Sequence, residues 1–511
     1  MEVRRKISPF FSALLASSGG SLIALFSSSD FMDDRSSFTA LTLLLLTYLW
    51  FEIVRLRRDH GHRWLLNPVV MCSVMTFVMG YGVTNLLFFV PADQLDPLGL
   101  VPEVTPAMVK LMWLALLGAI AMWLGYWSPV AAQLSSPRLA ARVYARLLPK
   151  TNSLKPLALP VLLCLSVGAR LLQIRLGVFG YSSTYDRLIE MGAITQYLSL
   201  TASLGRMALV LAALQYYSSG KNRRAGKWVL TLLAVEVAAG VLSGFKSAVV
   251  MPFLIVAICN YLRTGKLSKY WAILMFASLI FAYAVIEPFR MARNEDVGVA
   301  SVSLSNIVVH LIGSSDTGGR AQDAGPTSLL ALASRTNQSY IGSFAIAFSD
   351  ETHSLPAGSP SFLKDILLAP LYAWIPRLIW GGKPVNDLGL WYTQVVLGLN
   401  HLSSTAMGPF AYLYFSGGFL AVFLGFFFVG IVQRSLFFLL RPTVSHGGGV
   451  VFLVMLAHFA IVDSSFNGVI VALFRDLPLI LLLQILVFRK RAACLTVGAT
   501  SSGAPAELRT K

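Results

Sequence analysis

The sequence predicts an all-α polytopic integral membrane protein, and three observations carry that class. Of 511 residues 56% are hydrophobic and only 13% are charged, with a mean hydropathy of +0.68, so a soluble fold would leave far too much apolar surface uncovered. The apolar residues gather into twelve runs, most of them near the roughly 17 to 25 residues that a bilayer demands. The cations, finally, lie between the runs and favour alternate loops. A net charge of +17 would direct a soluble chain to nucleic acid, but in a membrane chain the placement of Lys and Arg matters before their number, and no nucleic-acid partner is expected.

The first run, 8–29, follows Arg4, Arg5 and Lys6 and has the form of a signal peptide. No small-residue cleavage site follows it, and a second run, 37–54, starts almost at once, so the first is read as a retained helix. Further spans are expected at 65–90, 108–127, 156–174, 197–217, 228–242, 248–262 and 270–286, and after a long polar interval at 408–432, 449–461 and 468–488. Three of them, 228–242, 248–262 and 449–461, are short for a bilayer and must borrow flanking residues. Between the first two of these, Ser243, Gly244, Phe245 and Lys246 have to form a tight turn.

Orientation follows from the cations. The segments 1–7, 55–64, 128–155, 218–227, 263–269, 433–448 and 489–511 hold 26 Lys and Arg, against 11 in the opposite loops, which include the long interval. The positive-inside rule then places both termini in the cytoplasm and the interval 287–407 outside. The expected organisation is nine helices in 1–286, a large outer loop at 287–407 containing re-entrant or interfacial helices, three helices in 408–488, and a tail at 489–511. From Thr496 onward that tail is rich in Ser, Gly, Ala and Thr and is expected to be disordered. The four cysteines have no metal-ligand spacing and imply neither disulfides nor zinc.

Three arginines, Arg170, Arg206 and Arg475, fall inside or at the edge of spans. At a helix centre each costs about 2.5 to 3.5 kcal/mol on insertion scales, and more without a partner. They must therefore face protein, either paired with an intramembrane acid such as Glu236 or in contact with a lipid-linked phosphate.

The outer interval holds the densest set of ionisable, aromatic and turn residues. EPFRMARNED carries Arg290 and Arg293, three apart and thus on one face of a helical continuation. A Gly- and Ser-rich run, 313–327, suits a flexible loop. ASRTNQSYIGSFAIAF reads as an amphipathic helix with Arg335 near its start, and a turn-rich acidic loop follows with Asp350, Glu351 and His353. The segment 362–380 is apolar but holds Lys364, Asp365, Pro370, Pro376 and Arg377, which suits a re-entrant or interfacial piece. Next, Arg377 and Lys383 sit between Trp374, Trp380 and Trp391, with Gly381, Gly382 and Pro384 forbidding a continuous helix. Such a stretch suits a loop that grips an anion at a membrane surface. The tryptophans fit sugar stacking and an interfacial aromatic belt equally well.

This order of features, with PRLIWGGKP and the Gly-containing run FAYLYFSGGFLAVFLGFFFVG at its end, resembles the bacterial oligosaccharide repeat-unit polymerases, the O-antigen polymerases of the Wzy type. The resemblance covers roughly 242–430 and implies glycosyl transfer on the outer face of the bacterial cytoplasmic membrane. A glycan held on undecaprenyl pyrophosphate is moved as a block onto the next lipid-linked repeat unit. No cofactor is expected, and with no His-x-x-x-His pair and no acidic cluster beside PRLIWGGKP, no metal is expected either. The resemblance also implies membrane lipids, a flippase and a chain-length regulator as partners. In that reading Arg377 acts in catalysis with His401 as the favoured base among His401, Asp387, His353, Glu351 and Asp350. Arg335, Lys383, Arg290 and Trp380 bind substrate, Arg by its bidentate fork and Lys as a movable point charge. Three other classes stay open: an O-antigen ligase with the same carrier leaving group, a metal-dependent lipid-phosphosugar transferase using Asp30, Asp33 and Asp34, and a polysaccharide transporter.

Overall fold

A computed structural model describes residues 9–28, 32–89, 103–149, 153–180, 191–220, 222–266, 268–295, 337–352, 355–356, 358–375, 379–380, 383, 388–399, 405–462 and 466–488, with backbone alone at 60–63, 144–145, 193 and 283–295. The described residues are helical almost throughout, and ten of the helices are long and apolar enough to cross a membrane. This is the build of a multi-pass membrane protein.

Taken in order, α1 is Pro9–Ser28 and α2 is Asp34–His60. The next span, Pro68–Phe89, is α3, with a wide π turn at Ser73–Val78 and a tight 3-10 end at Val83–Phe89. α4 is Pro106–Trp127, started by the Thr105 side chain accepting from the Met108 N–H, with Pro at its first position. Two short helices, α5 (Pro129–Leu134) and α6 (Pro137–Leu147), follow with serine caps, and Arg138, Arg142 and Arg146 line the exposed side of α6. α7 is Ala158–Arg175. The following apolar span is broken at Ser203 into α8 (Gly192–Ala202) and α9 (Leu204–Ser218). α10 (Arg223–Ser243) and α11 (Lys246–Thr264) meet at the tight turn expected around Gly244, and both reach bilayer length by taking in flanking residues. α12 (Lys269–Glu295) runs on through Arg290, so the EPFR stretch is a helical continuation.

Within the interval 287–407, α13 (Gln338–Glu351) and α14 (Phe362–Trp374) are seated on the bundle. α13 is fixed at both ends. Its cap, fully buried Asn337, accepts from Tyr340 N–H at 2.8 Å and donates to the Thr84 carbonyl at 3.0 Å. Near its far end Asp350 takes the Lys110 ammonium of α4 at 2.7 Å and the Tyr414 hydroxyl at 3.0 Å. The chain closes with α15 (Pro409–Leu440), α16 (His446–Ala460) and α17, the span Asn467–Val487, which carries a π turn at Ala472–Asp476.

The sequence reads 408–432 as one span, and here the structure corrects it. Residues sixteen apart in an unbroken helix stand about 24 Å from one another, yet the rings of Phe410 and Phe426 stack at 4.7 Å. The helix is broken at Gly417 and Gly418, and Gly418 (φ 62, ψ −149) adopts a backbone open in practice only to glycine. Residues 409–416 therefore form a short arm that folds back against the long arm 419–440. Phe410 and Phe426 both lie beside Gly118, midway along α4, together with Phe77 of α3. The short arm is core: Phe410, Ala411, Tyr412 and Leu413 are all buried. Phe362 of α14 stacks on Phe415 at 4.9 Å and meets Tyr412 at 5.4 Å, so the hairpin is the seat on which α14 rests.

The hairpin is open to test through Gly418. Gly418→Ala forces a side chain into that backbone region at a cost of about 1 to 3 kcal/mol, so the purified protein should melt several degrees lower in detergent. An unchanged melting temperature would contradict the fold-back.

Candidate functional site

Among the described residues the buried carboxylates are Glu52 of α2, paired with Arg55 of the same helix, and Glu236 and Asp476, whose arginine partners Arg206 and Arg475 line one cavity. The first of the two places at that cavity centres on Glu236 of α10, which is 3% exposed. Arg170 of α7 places Nη2 2.7 Å from Oε1 and 2.8 Å from Oε2 of that carboxylate. Room for it comes from Gly205, where an added Cβ would fall 2.1 Å from Oε1. The helix break at Ser203 frees the Ala202 carbonyl, which accepts from Ser166 Oγ at 2.7 Å and from Arg170 Nη2 at 3.3 Å. Arg206, in the first turn of α9, has its Nε 4.0 Å from Glu236 Oε2 and a side chain 50% exposed. Two guanidiniums thus share one carboxylate, and the surplus positive charge is presented by Arg206.

The second place is the π turn of α17. Arg475 Nε donates to Asp476 Oδ1 at 2.7 Å, and His458, near the end of α16, has its Nε2 3.6 Å from Asp476 Oδ2. A π turn inserts an extra residue into the helical register, re-aiming the side chains around it, and such turns are frequent at functional sites.

Between these two places lies a cavity of about 690 Å³. Leu200, Met207, Met251, Ile255, Leu479 and Leu482 give it an apolar wall, while Arg206, His458, Arg475 and Asp476 supply ionisable groups. Ala373 and Trp374, at the last turn of α14, close one side. The cavity therefore lies beside the last turn of α14. Its combination of long apolar walls and guanidinium groups fits a molecule with a hydrocarbon part and an anionic head.

Of the residues singled out from the sequence, all three span arginines meet an acid, Arg170 and Arg206 at Glu236 and Arg475 at Asp476, and Arg206 and Arg475 also line the cavity. Lys383 folds back over α14: its ammonium donates to the carbonyls of Tyr372 and, at 3.1 Å, Ile375, satisfying acceptors that the helix end leaves open. The half-buried Trp380 has its ring 5.6 Å from that of Tyr372. Trp374 is exposed at the cavity, but Trp391 is packed among Phe362, Phe348 and Phe415 with its N–H on Ser359 Oγ at 3.1 Å. Its faces are used by the protein. Asp350 is held by Lys110 and Tyr414, and Glu351 ends α13. Arg290 lies on α12, described there by backbone alone, and Arg335, Arg377, His401, Asp387 and His353 lie outside the described residues. Sequence reasoning missed His458 and Asp476. The available signal was that, with Arg475, they are the ionisable residues within α16 and α17 after His446, and ionisable groups in apolar spans mark function by default.

A helical multi-pass membrane protein with a charged, apolar-walled cavity is the class that this arrangement defines. The chain belongs to the family described as a domain of unknown function (DUF8712), whose profile matches residues 168–440 of 511. No curated protein and no solved structure matches it. The matched stretch holds Arg170, Arg206, Glu236 and Lys383 and stops at the end of α15, before His458, Arg475 and Asp476.

The two arginines around Glu236 should behave differently. Arg170, 12% exposed, leaves a buried carboxylate poorly compensated when removed, so Arg170→Ala should cost about 3 to 5 kcal/mol and deplete the protein from membranes. Arg206→Ala removes a half-exposed cation and should leave abundance near wild type. Immunoblots of both variants check this, and equal loss from the two would contradict the division of roles.

Proposed function

We propose that this protein is a polymerase of lipid-linked oligosaccharide repeat units, a metal-independent glycosyltransferase of the bacterial cytoplasmic membrane. The observation that carries the reading is the cavity in which Arg206 and Arg475 stand in apolar walls, each beside a single carboxylate. A polyprenyl chain needs the apolar surface, and its pyrophosphate needs the cations. When the glycan leaves the carrier, negative charge collects on that pyrophosphate, and cations fixed in a water-poor site stabilise it more than water does. The end of α14 borders the cavity, and the residues next in sequence are Pro376 and Arg377 of the PRLIWGGKP stretch. This connectivity supports Arg377 as a further phosphate ligand, with Arg335 and Arg290 as cations of the same outer interval.

In this reading the ten long apolar helices, together with α12 and α16, make twelve spans. The basic face of α6 lies on the cytoplasmic side with both termini, and α13, α14 and the cavity mouth face outward. Substrate is undecaprenyl-pyrophosphate-linked oligosaccharide, met in the membrane, with a flippase and a chain-length regulator as working partners and no cofactor.

Loss of the protein should collapse the surface-polysaccharide ladder on a gel to a single repeat unit on the final acceptor. Long polymer stranded on the lipid carrier would instead identify a ligase, and an unchanged ladder would remove both readings. Arg377→Lys should shorten or abolish the polymer much as Arg377→Ala does, because an ammonium lacks the bidentate fork. A wild-type ladder from both variants at normal abundance excludes Arg377 from the site. A reporter fused at Ser359 should be active outside the cytoplasm, and activity inside would reverse the orientation.

A further inference from the structure

His458 and Asp476 are a second use of the same cavity. His458 is 38% exposed and lines it, and Asp476 is held in place from the other side by Arg475 Nε at 2.7 Å. Asp476 therefore has one oxygen occupied and turns the other, Oδ2, toward His458 Nε2 at 3.6 Å. The charged side chains lining the cavity among the described residues are Arg206, Arg475 and Asp476, with the phenol of Tyr197 also present. Arg206 and Arg475 suit the anionic leaving group and neither suits a base. The imidazole is the side chain on this wall able to take a proton near neutral pH.

Resting on the polymerase reading above, we propose that His458 is the general base of the transfer and Asp476 its positioning residue. With Nε2 turned to Asp476, Nδ1 is left to accept the proton of the acceptor sugar hydroxyl. That oxygen forms a bond to the donor's anomeric carbon, the bond from this carbon to the phosphate oxygen breaks, and its electron pair leaves with the polyprenyl pyrophosphate. The imidazolium formed is balanced by Asp476 and returns its proton to water. Asp476 acts as an orienter, fixing the ring, while Arg475 fixes Asp476 and faces the leaving group.

The test uses purified full-length protein in lipid nanodiscs and lipid-linked repeat units extracted from cells that lack the chain. His458→Gln should slow polymer formation by about 100-fold or more, the usual contribution of a positioned base. His458→Ala should regain part of the rate with added imidazole, which a merely structural histidine would not. Asp476→Asn should lower the maximal rate with little change in the substrate concentration needed, and Asp476→Glu should restore much of it. Wild-type rates from His458→Gln at equal abundance overturn the proposal. If His458→Gln fails to accumulate, full activity in Asp476→Asn overturns it instead. Absence of polymer from the wild-type protein strikes the polymerase reading itself, whereas wild-type polymer with active variants strikes this assignment alone.

Discussion

A carboxylate held between two guanidiniums inside an apolar bundle is the constraint around which this protein is arranged. Glu236 is nearly inaccessible, and Arg170 meets both of its oxygens. A charge in hydrocarbon is tolerated only when partnered, so α7, α9 and α10 have to meet at that level. The helix break at Ser203 supplies a carbonyl to the same cluster, and Gly205 supplies space. Arg206 is what remains: a cation tethered to the pair and left half-exposed at a cavity. The ion pair joins α7 to α10, and at its exposed edge Arg206 lines the cavity.

The second constraint is the fold-back at Gly417 and Gly418. It places a short arm in the core beside α4, and aromatic contacts from Phe362 to that arm set where α14 lies. α14 in turn ends at the cavity with Trp374, and Lys383 closes its open carbonyls. A non-helical backbone within an apolar bundle is stable here because it is buried in protein. One hairpin thus connects the centre of the bundle to the loop whose residues the sequence analysis marked for phosphate binding.

Much of this was legible in the sequence, for a physical reason. Hydropathy reports burial in hydrocarbon directly, so the spans 108–127 and 156–174 agree closely with α4 and α7. The turn at Gly244 was legible because Ser243, Gly244, Phe245 and Lys246 interrupt two apolar runs that are each short for a bilayer and gain length from flanking residues. The fold-back was not, since FAYLYF and FLAVFLGFFF are apolar on both sides of the glycines and hydropathy carries no sign of direction. Arg475 drew notice because charge in a span is costly, whereas His458 lies twelve residues after His446 in α16 and no spacing pattern announces it. Lys383 read as a movable cation, because nothing in its local sequence tells that it caps carbonyls eight and eleven residues back.

On the proposed function, the cavity between α9, α11, α16 and α17 holds an isoprenoid-linked glycan. Photocrosslinking from within its wall tests this most directly. A photoreactive amino acid placed at Met251, which lines the cavity, would be activated in cells that make the repeat unit, and the adduct analysed by mass spectrometry. The account predicts an adduct carrying both polyprenyl and sugar mass, absent from cells unable to make the glycan. Adducts of phospholipid alone, from protein present at normal abundance, would contradict it.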